Sequence, residues 1–416
     1  MNHLFGEGTF MSKLKGIMPF FFSFMLFMAA SNFVHPVTPT LIRMYGLPDN
    51  TFGVAYATMC FTNFLFSPFW GKMNDHFHIR TTLTVCTLGY ALGQFFFLMA
   101  HDRTSLIFAR AFAGVFTGGC FTSFFSYIVH HTNEETRPQT LTFYAAAQVI
   151  AGAVGFFIGG RLGELGAYAC IWTQIFAEAV VALLFFLTCK KEKIEEKKKE
   201  KPQEIIRTAN PFAAFYAGRK FLNVSWLILF LICMFEYLGY VGFDQSFNYF
   251  LKERFDFSPS VNGNLKLIIS FATLTANMLF CGILMKKTQI RRSVVVLLFT
   301  LAGTMAAFCG FSSEFLPLAV IAVLFFMLDC VTVPLLQKMV ADKITQTGKD
   351  SNLIMGFYNS LRFLGAVFGG LCSGYLYDLS AIAPFLMFCA VFAAAGVLGI
   401  VFQRRESRFD IKTEKC

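Results

Sequence analysis

The chain has 416 residues, of which 56% are hydrophobic and only 14% are charged, and its mean hydropathy is +0.58. Soluble domains carry about a quarter charged residues, so this composition excludes a soluble enzyme, a disordered chain and a nucleic-acid-binding domain. The net charge of +10 must therefore be explained by the way a membrane protein distributes its basic residues.

Apolar stretches separated by short polar segments recur along the whole chain. A membrane helix needs roughly 20 apolar residues, and it must be helical because lipid offers the backbone no hydrogen-bond partner. We predict an all-α integral membrane fold of twelve transmembrane helices, numbered span 1 to span 12 in chain order: 17–42, 51–71, 81–100, 105–130, 138–162, 166–189, 222–251, 259–285, 292–311, 314–341, 350–378 and 381–403.

The connection between spans 6 and 7 is long and highly charged. Its run from Lys190 to Pro202 cannot cross a bilayer. The predicted organisation is therefore two six-helix halves with a linker and a tail: residues 1–189, the cytoplasmic linker 190–221, residues 222–403, and the cytoplasmic tail 404–416.

The basic residues orient the chain. With the N-terminus inside, 27 of the 35 Lys and Arg residues fall in inside segments and five fall outside, as the positive-inside rule requires. Both termini are thus predicted to be cytoplasmic, and no nucleic-acid partner is needed to explain the net charge. Short outer loops favour a plasma membrane. The twelve Cys residues lack paired spacing, so we predict no metal and no cofactor.

The two halves resemble each other at a fixed offset. Segment 143–164 matches segment 357–378 without a gap, and the segment from Gly71 to Arg80 matches that from Gly282 to Arg291. Parallel six-helix repeats are a transporter architecture, with the substrate site expected between the halves near the membrane midplane.

The segment between spans 2 and 3 reads Gly71-Lys72-Met73-Asn74-Asp75-His76-Phe77-His78-Ile79-Arg80. It resembles the loop motif G-x-x-x-D-(R/K)-x-G-(R/K)-(R/K) of the major facilitator superfamily, with His76 and His78 as departures. The resemblance implies a secondary transporter that works by alternating access, usually as a monomer. It also implies that Gly71, Asp75 and Arg80 form a cytoplasmic gate.

Two further segments resemble motifs of the same family. Arg110 in span 4 is followed four residues later by a Gly, and the corresponding Arg is implicated in proton coupling. Span 5 resembles the antiporter motif G-x-x-x-G-P-x-x-G-G of drug–proton antiporters, in which Gly155, Gly159 and Gly160 would pack helices closely. Phe156 replaces the Pro of that motif, which weakens the match to the drug–proton branch.

Polar and charged side chains within the spans are the candidate site residues, because a charge at mid-bilayer costs at least ~2.5–3.5 kcal/mol and is usually paired or functional. In span 7 the polar positions recur every four residues, on one helix face. In the resembled fold these spans can reach the cavity, and pseudo-symmetry would place Arg362 opposite Gln148. The predicted proton-coupling or substrate-cavity residues are Asn32, His35, Arg110, Gln148, Glu236, Tyr240, Asp244, Lys266, Asp329 and Arg362.

Structural alternatives remain for several of these groups. Lys266 lies near the outer end of span 8 and can snorkel outward, and Asp244 can be solvated or ion-paired. Glu178 in span 6 is interpreted as a structural partner in an ion pair, since that span is peripheral in the resembled fold.

Three functions follow from these residues. The first is proton-coupled export of small lipophilic or amphiphilic compounds, in which Glu236 and Asp329 hold a proton or a cationic compound in turn. The second is ion-coupled transport of an organic anion, a sugar or another nutrient, bound by Arg110, Lys266 and Arg362. The third is a non-transporting receptor or scaffold. An enzyme is not predicted, because the sequence shows neither a nucleotide-binding loop nor a nucleophile–base constellation.

Overall fold

The computed structural model describes residues 16–132, 136–190, 210, 212, 216, 223–281, 288–347 and 351–413. Throughout these ranges the chain forms helices joined by short connections and contains no strand. Most of the charged linker, and residues 282–287 of the second repeat segment, lie outside the described residues.

A helix occupies each of the twelve predicted spans, so the predicted all-α fold is confirmed. Within the described residues, ten helices are long and apolar enough to cross a membrane, by length and composition. The helix of span 12 continues into the predicted tail. The helices of spans 2 to 12 are Thr51–His76, Ile79–Met99, Arg103–His131, Arg137–Glu164, Ala167–Thr188, Val224–Phe255, Pro259–Ala276 with a π-helical end Asn277–Cys281, Thr288–Phe311, Phe315–Thr347, Ser351–Leu379 and Ala383–Thr413.

Span 1 is interrupted, which differs from the single helix expected over 17–42. It consists of Met18–Ala30, a 3₁₀ turn His35–Val37 and a short helix Thr38–Met44. The turn contains Pro36, and the second residue of the short helix is Pro39. Each proline removes a backbone donor and clashes with the preceding turn, so the regular helix stops before them. The break places His35 in this 3₁₀ turn rather than in a regular α-helix.

The segment from Gly71 to Arg80, expected as a loop, is mostly helical. Span 2 continues to His76 and span 3 begins at Ile79. Only Phe77 and His78 connect the two helices.

The chain forms two compact units. Unit 1 comprises Met1–Tyr45, Phe61–Pro211 and Phe257–Leu267, and unit 2 comprises Gly46–Cys60, Phe212–Asp256 and Ile268–Cys416. The beginning of span 2 thus packs with unit 2, and the beginning of span 8 packs with unit 1. The sequence did not indicate this exchange of two segments.

Aromatic rings fill the core of unit 1. The Phe124 ring of span 4 lies 5.0 Å from Phe24 and 5.2 Å from Phe27 in span 1, and 5.6 Å from Phe185 in span 6. All four residues are almost fully buried. Much of the Phe content of these spans therefore packs one helix against another rather than facing lipid.

Span 5 approaches its neighbours in unit 1 through glycine. A Cβ atom on Gly155 would clash with the Ala29 carbonyl, and one on Gly159 would clash with the backbone of Phe33. A Cβ atom on Gly160 would meet Pro259 at the start of span 8. Only glycine permits backbones to come this close, so these positions hold spans 1, 5 and 8 together.

Glycine also brings two helices of unit 2 together, where span 2 begins. A Cβ atom on Gly53 would clash with the backbone at Gly370 and Gly374 of span 11. The beginning of span 2 therefore lies directly against span 11.

Hydrogen bonds secure the connection that leads into span 2. The Asn50 backbone N–H donates to Asp378 Oδ1 at 3.0 Å, and the Asn50 side chain donates to the other oxygen of that carboxylate. The Tyr249 hydroxyl of span 7 donates to the Asp49 carboxylate in the same connection. Spans 7 and 11 thus both hold this connection within unit 2.

Candidate functional site

A pair of buried carboxyl groups lies in unit 2. Glu236 of span 7 is 1% exposed and Asp329 of span 10 is 5% exposed, and the two groups lie within hydrogen-bonding reach of each other. Ionised carboxylates only accept hydrogen bonds, so such a contact requires a proton on one of them.

A cation accompanies this pair. The Arg362 guanidinium of span 11 interacts electrostatically with both Glu236 and Asp329. Its central carbon lies 4.2 Å from the centroid of the Tyr237 ring and 5.7 Å from that of Tyr358. With one proton on the acid pair, the three charged groups sum to zero, which is the arrangement that costs least in an apolar interior.

Tyrosines extend the cluster in unit 2. Tyr240 of span 7 interacts electrostatically with Asp244, one turn further on, and with Asp329. Tyr56 of span 2 interacts with Tyr237, Tyr240 and Asp244. Sequence reasoning missed Tyr56, because its neighbours come from residues far along the chain and its own helix shows no distinguishing pattern.

A separate group of basic residues lies in unit 1. The His35 imidazole stacks on the Phe156 ring, and Lys266 Nζ lies 5.5 Å from the centroid of that same ring. His35 also interacts electrostatically with Arg110 and Lys266. Lys266 is 8% exposed, so its side chain is buried beside Phe156 rather than extended into solvent.

Arg110 is the most enclosed of these cations. It is 6% exposed, donates from Nη2 to Thr38 Oγ1 at 3.4 Å, and has its guanidinium carbon 4.0 Å from the Phe97 ring centroid. The Thr38 hydroxyl lies just past the break in span 1. The interruption of that span and the family motif in span 4 thus meet at one hydrogen bond.

The remaining candidates of unit 1 lie in different settings. Asn32 donates from Nδ2 to the Met28 carbonyl at 2.7 Å, a local bond at the break in span 1. Gln148 is half-buried on span 5. Arg362, its counterpart in the repeat, packs in unit 2 with Tyr237.

The predicted gate residues flank the short connection between spans 2 and 3. A Cβ atom on Gly71 would lie 3.6 Å from the Thr122 methyl group, and the Arg80 guanidinium carbon lies 4.7 Å from the Phe186 ring centroid. Asp75 belongs to the last turn of its helix, and its side chain lies outside the description. The described residues contain no group of three His, Cys, Asp or Glu side chains that could hold a metal ion.

Comparison with known proteins places these features in a family. The sequence model of the Major Facilitator Superfamily matches residues 20–349 and 248–414. The chain is 22% identical over 379 residues to Multidrug resistance protein 2 of Bacillus subtilis (strain 168), covering 90% of this chain and 91% of the relative. It is 24% identical over 381 residues to Multidrug resistance protein 1 of the same organism, covering 88% and 90%.

Solved structures share the fold. The human organic anion transporter MFSD10 (TETRAN) superposes with a TM-score of 0.66 at 17% sequence identity, covering 93% of this chain and 99% of that one. At this identity the likeness concerns the arrangement of helices.

Proposed function

The chain belongs to the major facilitator superfamily, and we propose that it exports small lipophilic or amphiphilic compounds in exchange for protons. It is a multi-pass membrane protein and a transporter rather than an enzyme. Two relatives that it matches over about nine-tenths of its length are named multidrug resistance proteins. Their names support efflux as the direction and a broad range of compounds as the cargo.

The acid pair of unit 2 is the observation that carries this proposal. Glu236 and Asp329 share a buried position with Arg362, and one proton neutralises the cluster. A cationic compound that reaches the pair replaces that proton and leaves the total charge unchanged. The exchange therefore avoids an uncompensated charge in the membrane at either step. Tyr237 and Tyr240 beside the acids supply aromatic faces of the kind that organic cations favour.

The basic residues of unit 1 favour a second candidate. Arg110 and Lys266 are buried, and His35 interacts with both. Guanidinium and ammonium groups in such surroundings bind carboxylates or phosphates. This arrangement supports ion-coupled transport of an organic anion as the alternative function, and it makes Phe156 part of the binding surface.

The setting of the transporter is part of the same proposal. The bias of Lys and Arg residues supports cytoplasmic termini and a cytoplasmic linker. Short outer connections support a plasma membrane, and twelve spans suffice for a monomer. Nothing in the composition calls for a nucleic acid.

The deciding experiment uses proteoliposomes that contain a pH-sensitive dye. After a proton gradient is imposed, a panel of lipophilic cations is added, followed by organic anions and sugars. Proton movement triggered by lipophilic cations is the expected result. Movement triggered only by anions would overturn cation–proton exchange and transfer the binding role to Arg110, Lys266 and Arg362.

A further inference from the structure

Glu178 is a buried acid outside both clusters described above. It lies near the middle of the span 6 helix Ala167–Thr188 and is 0% exposed. Neither of its carboxyl oxygens has a hydrogen-bond partner among the described residues. The ion pair expected from the sequence is thus missing in the described part of unit 1.

The surroundings of this carboxyl group are polar without being cationic. Tyr90 of span 3 and Cys120 of span 4 interact with it electrostatically. One turn before it, Gln174 donates from Nε2 to the Tyr90 hydroxyl at 3.1 Å and accepts from the Val34 backbone N–H at 3.2 Å. Among the described residues, the titratable groups that interact with Glu178 are therefore the Tyr90 phenol and the Cys120 thiol, and the Cys86 thiol of span 3 lies next to Cys120.

These surroundings determine the protonation state. A buried carboxylate without a cation or a hydrogen-bond donor bears the full cost of desolvation. The neutral acid avoids that cost, so burial without a described partner favours the protonated form of Glu178. The carboxyl oxygens make no hydrogen bond to described groups, so no such bond opposes the release of the proton.

Tyr90 connects this proton to the family motif in span 4. Its side chain interacts electrostatically with Arg110 as well as with Glu178, and it is 2% exposed. A negative charge formed on Glu178 would therefore be linked to the Arg110 cation through the Tyr90 side chain, which interacts with both.

We propose that Glu178 is a second proton-binding site, located in unit 1 and linked to Arg110 through Tyr90, apart from the acid pair of unit 2. The role of Glu178 in coupling rests on the proton exchange proposed above. The binding of a proton by Glu178 does not depend on that proposal. During transport, the Glu178 carboxyl releases its proton to water on one side of the membrane and becomes a carboxylate, and the Tyr90 side chain, which interacts with both groups, links that carboxylate to the positive charge of Arg110. The proton returns when the next cycle begins.

Infrared difference spectra of the purified protein in lipid test the occupancy. At neutral pH, we expect Glu178→Gln to remove one carbonyl band of a protonated carboxylic acid. The band should persist in a Glu236→Gln, Asp329→Asn double variant and in the exposed control Glu164→Gln. Glu178→Asp keeps a carboxyl group, so the band should shift rather than vanish. This second variant tests the site even if Glu178→Gln folds poorly. An unchanged spectrum in Glu178→Gln would overturn the site.

Proton and substrate fluxes measured together in proteoliposomes test the coupling. We expect Glu178→Gln to lower the number of protons moved per substrate, and Tyr90→Phe to shift the pH profile with that number retained. If Glu178→Gln kept the wild-type number of protons per substrate and the wild-type pH profile, the proton on Glu178 would take no part in transport. That result would overturn the role of Glu178 in coupling. If the wild type itself moved no protons, the proposed function would fail, while the infrared band would still decide whether Glu178 binds a proton.

Discussion

The His35 imidazole lies nearly parallel to the Phe156 ring, with ring centroids 5.5 Å apart and an angle of 11° between the planes. Lys266 Nζ lies 5.5 Å from the centroid of the same ring. Phe156 stands where the resembled antiporter motif has Pro. The replacement of Pro by Phe156 weakens the match to the motif, but it supplies the aromatic ring against which His35 and Lys266 lie.

Phe156→Leu tests this surface. Leucine keeps apolar bulk but removes the ring face that attracts the ammonium group, an interaction of about 0.5–2 kcal/mol in buried settings. We expect a lower unfolding temperature in lipid or detergent. The control is Phe125→Leu, whose ring is 52% exposed. An equal shift in both variants would show that Phe156 contributes bulk alone.

Gly53→Ala tests the close approach of spans 2 and 11 in unit 2. The added methyl group would clash with the backbone at Gly370 and Gly374, and overpacking of this kind costs roughly 1–3 kcal/mol. We expect reduced thermal stability and slower transport. Gly396→Ala is the control, because its new Cβ atom would lie 3.9 Å from its nearest neighbour. Equal stability of the two variants would contradict the packing role of Gly53.

The sequence predicts most of the fold because apolar length and composition determine where helices cross a membrane. Proline at positions 36 and 39 also carried the signal for the break in span 1. The site was harder to predict. Tyr56 interacts with Tyr237 and Asp244 only because the beginning of span 2 packs in unit 2. The sequence around Glu178 does not distinguish it from other acidic residues within the spans. Such contacts join residues far apart in the chain, beyond the reach of helical periodicity.

Asp102 provides a test that depends on pH. It caps the span 4 helix, accepting hydrogen bonds from the backbone N–H groups of Thr104 and Ser105. Hydrogen bonds from Ser105, first from its hydroxyl and then from its backbone, lower the pKa of Asp102. A carboxyl group with a lowered pKa in the folded state stabilises the fold above its unfolded-state pKa. That contribution is lost as the pH falls through the folded-state pKa.

We therefore expect Asp102→Ala to lower the unfolding temperature at neutral pH and to approach the wild type as the medium is acidified. Asp102→Asn keeps a side-chain oxygen suited to an N-cap and is the matched control. A deficit in Asp102→Ala that stays constant with pH would contradict a role for the ionised carboxylate.

Asp75→Asn tests the predicted cytoplasmic gate. Because the family resemblance assigns Asp75 to a latch rather than to a binding surface, the variant should transport more slowly and bind substrate with unchanged affinity. Initial transport rates and equilibrium binding, measured on the same preparation, separate these two effects. Wild-type transport would show that Asp75 is an ordinary polar residue at the end of a helix.

The acid pair provides the most direct test of coupling. Glu236→Gln and Asp329→Asn each remove one ionisable group while preserving size, so each should shift or abolish the pH dependence of transport. If the two carboxyl groups share one proton, as proposed, the double variant should lose little more than either single one, as expected for residues that act as a unit. Arg362→Lys keeps the charge that balances the pair but loses the planar group packed over Tyr237. We expect it to retain pH dependence with weaker transport. The measurement is the transport rate of each variant across a pH series. If both acid variants kept the wild-type pH profile, the pair would not be the proton-binding site.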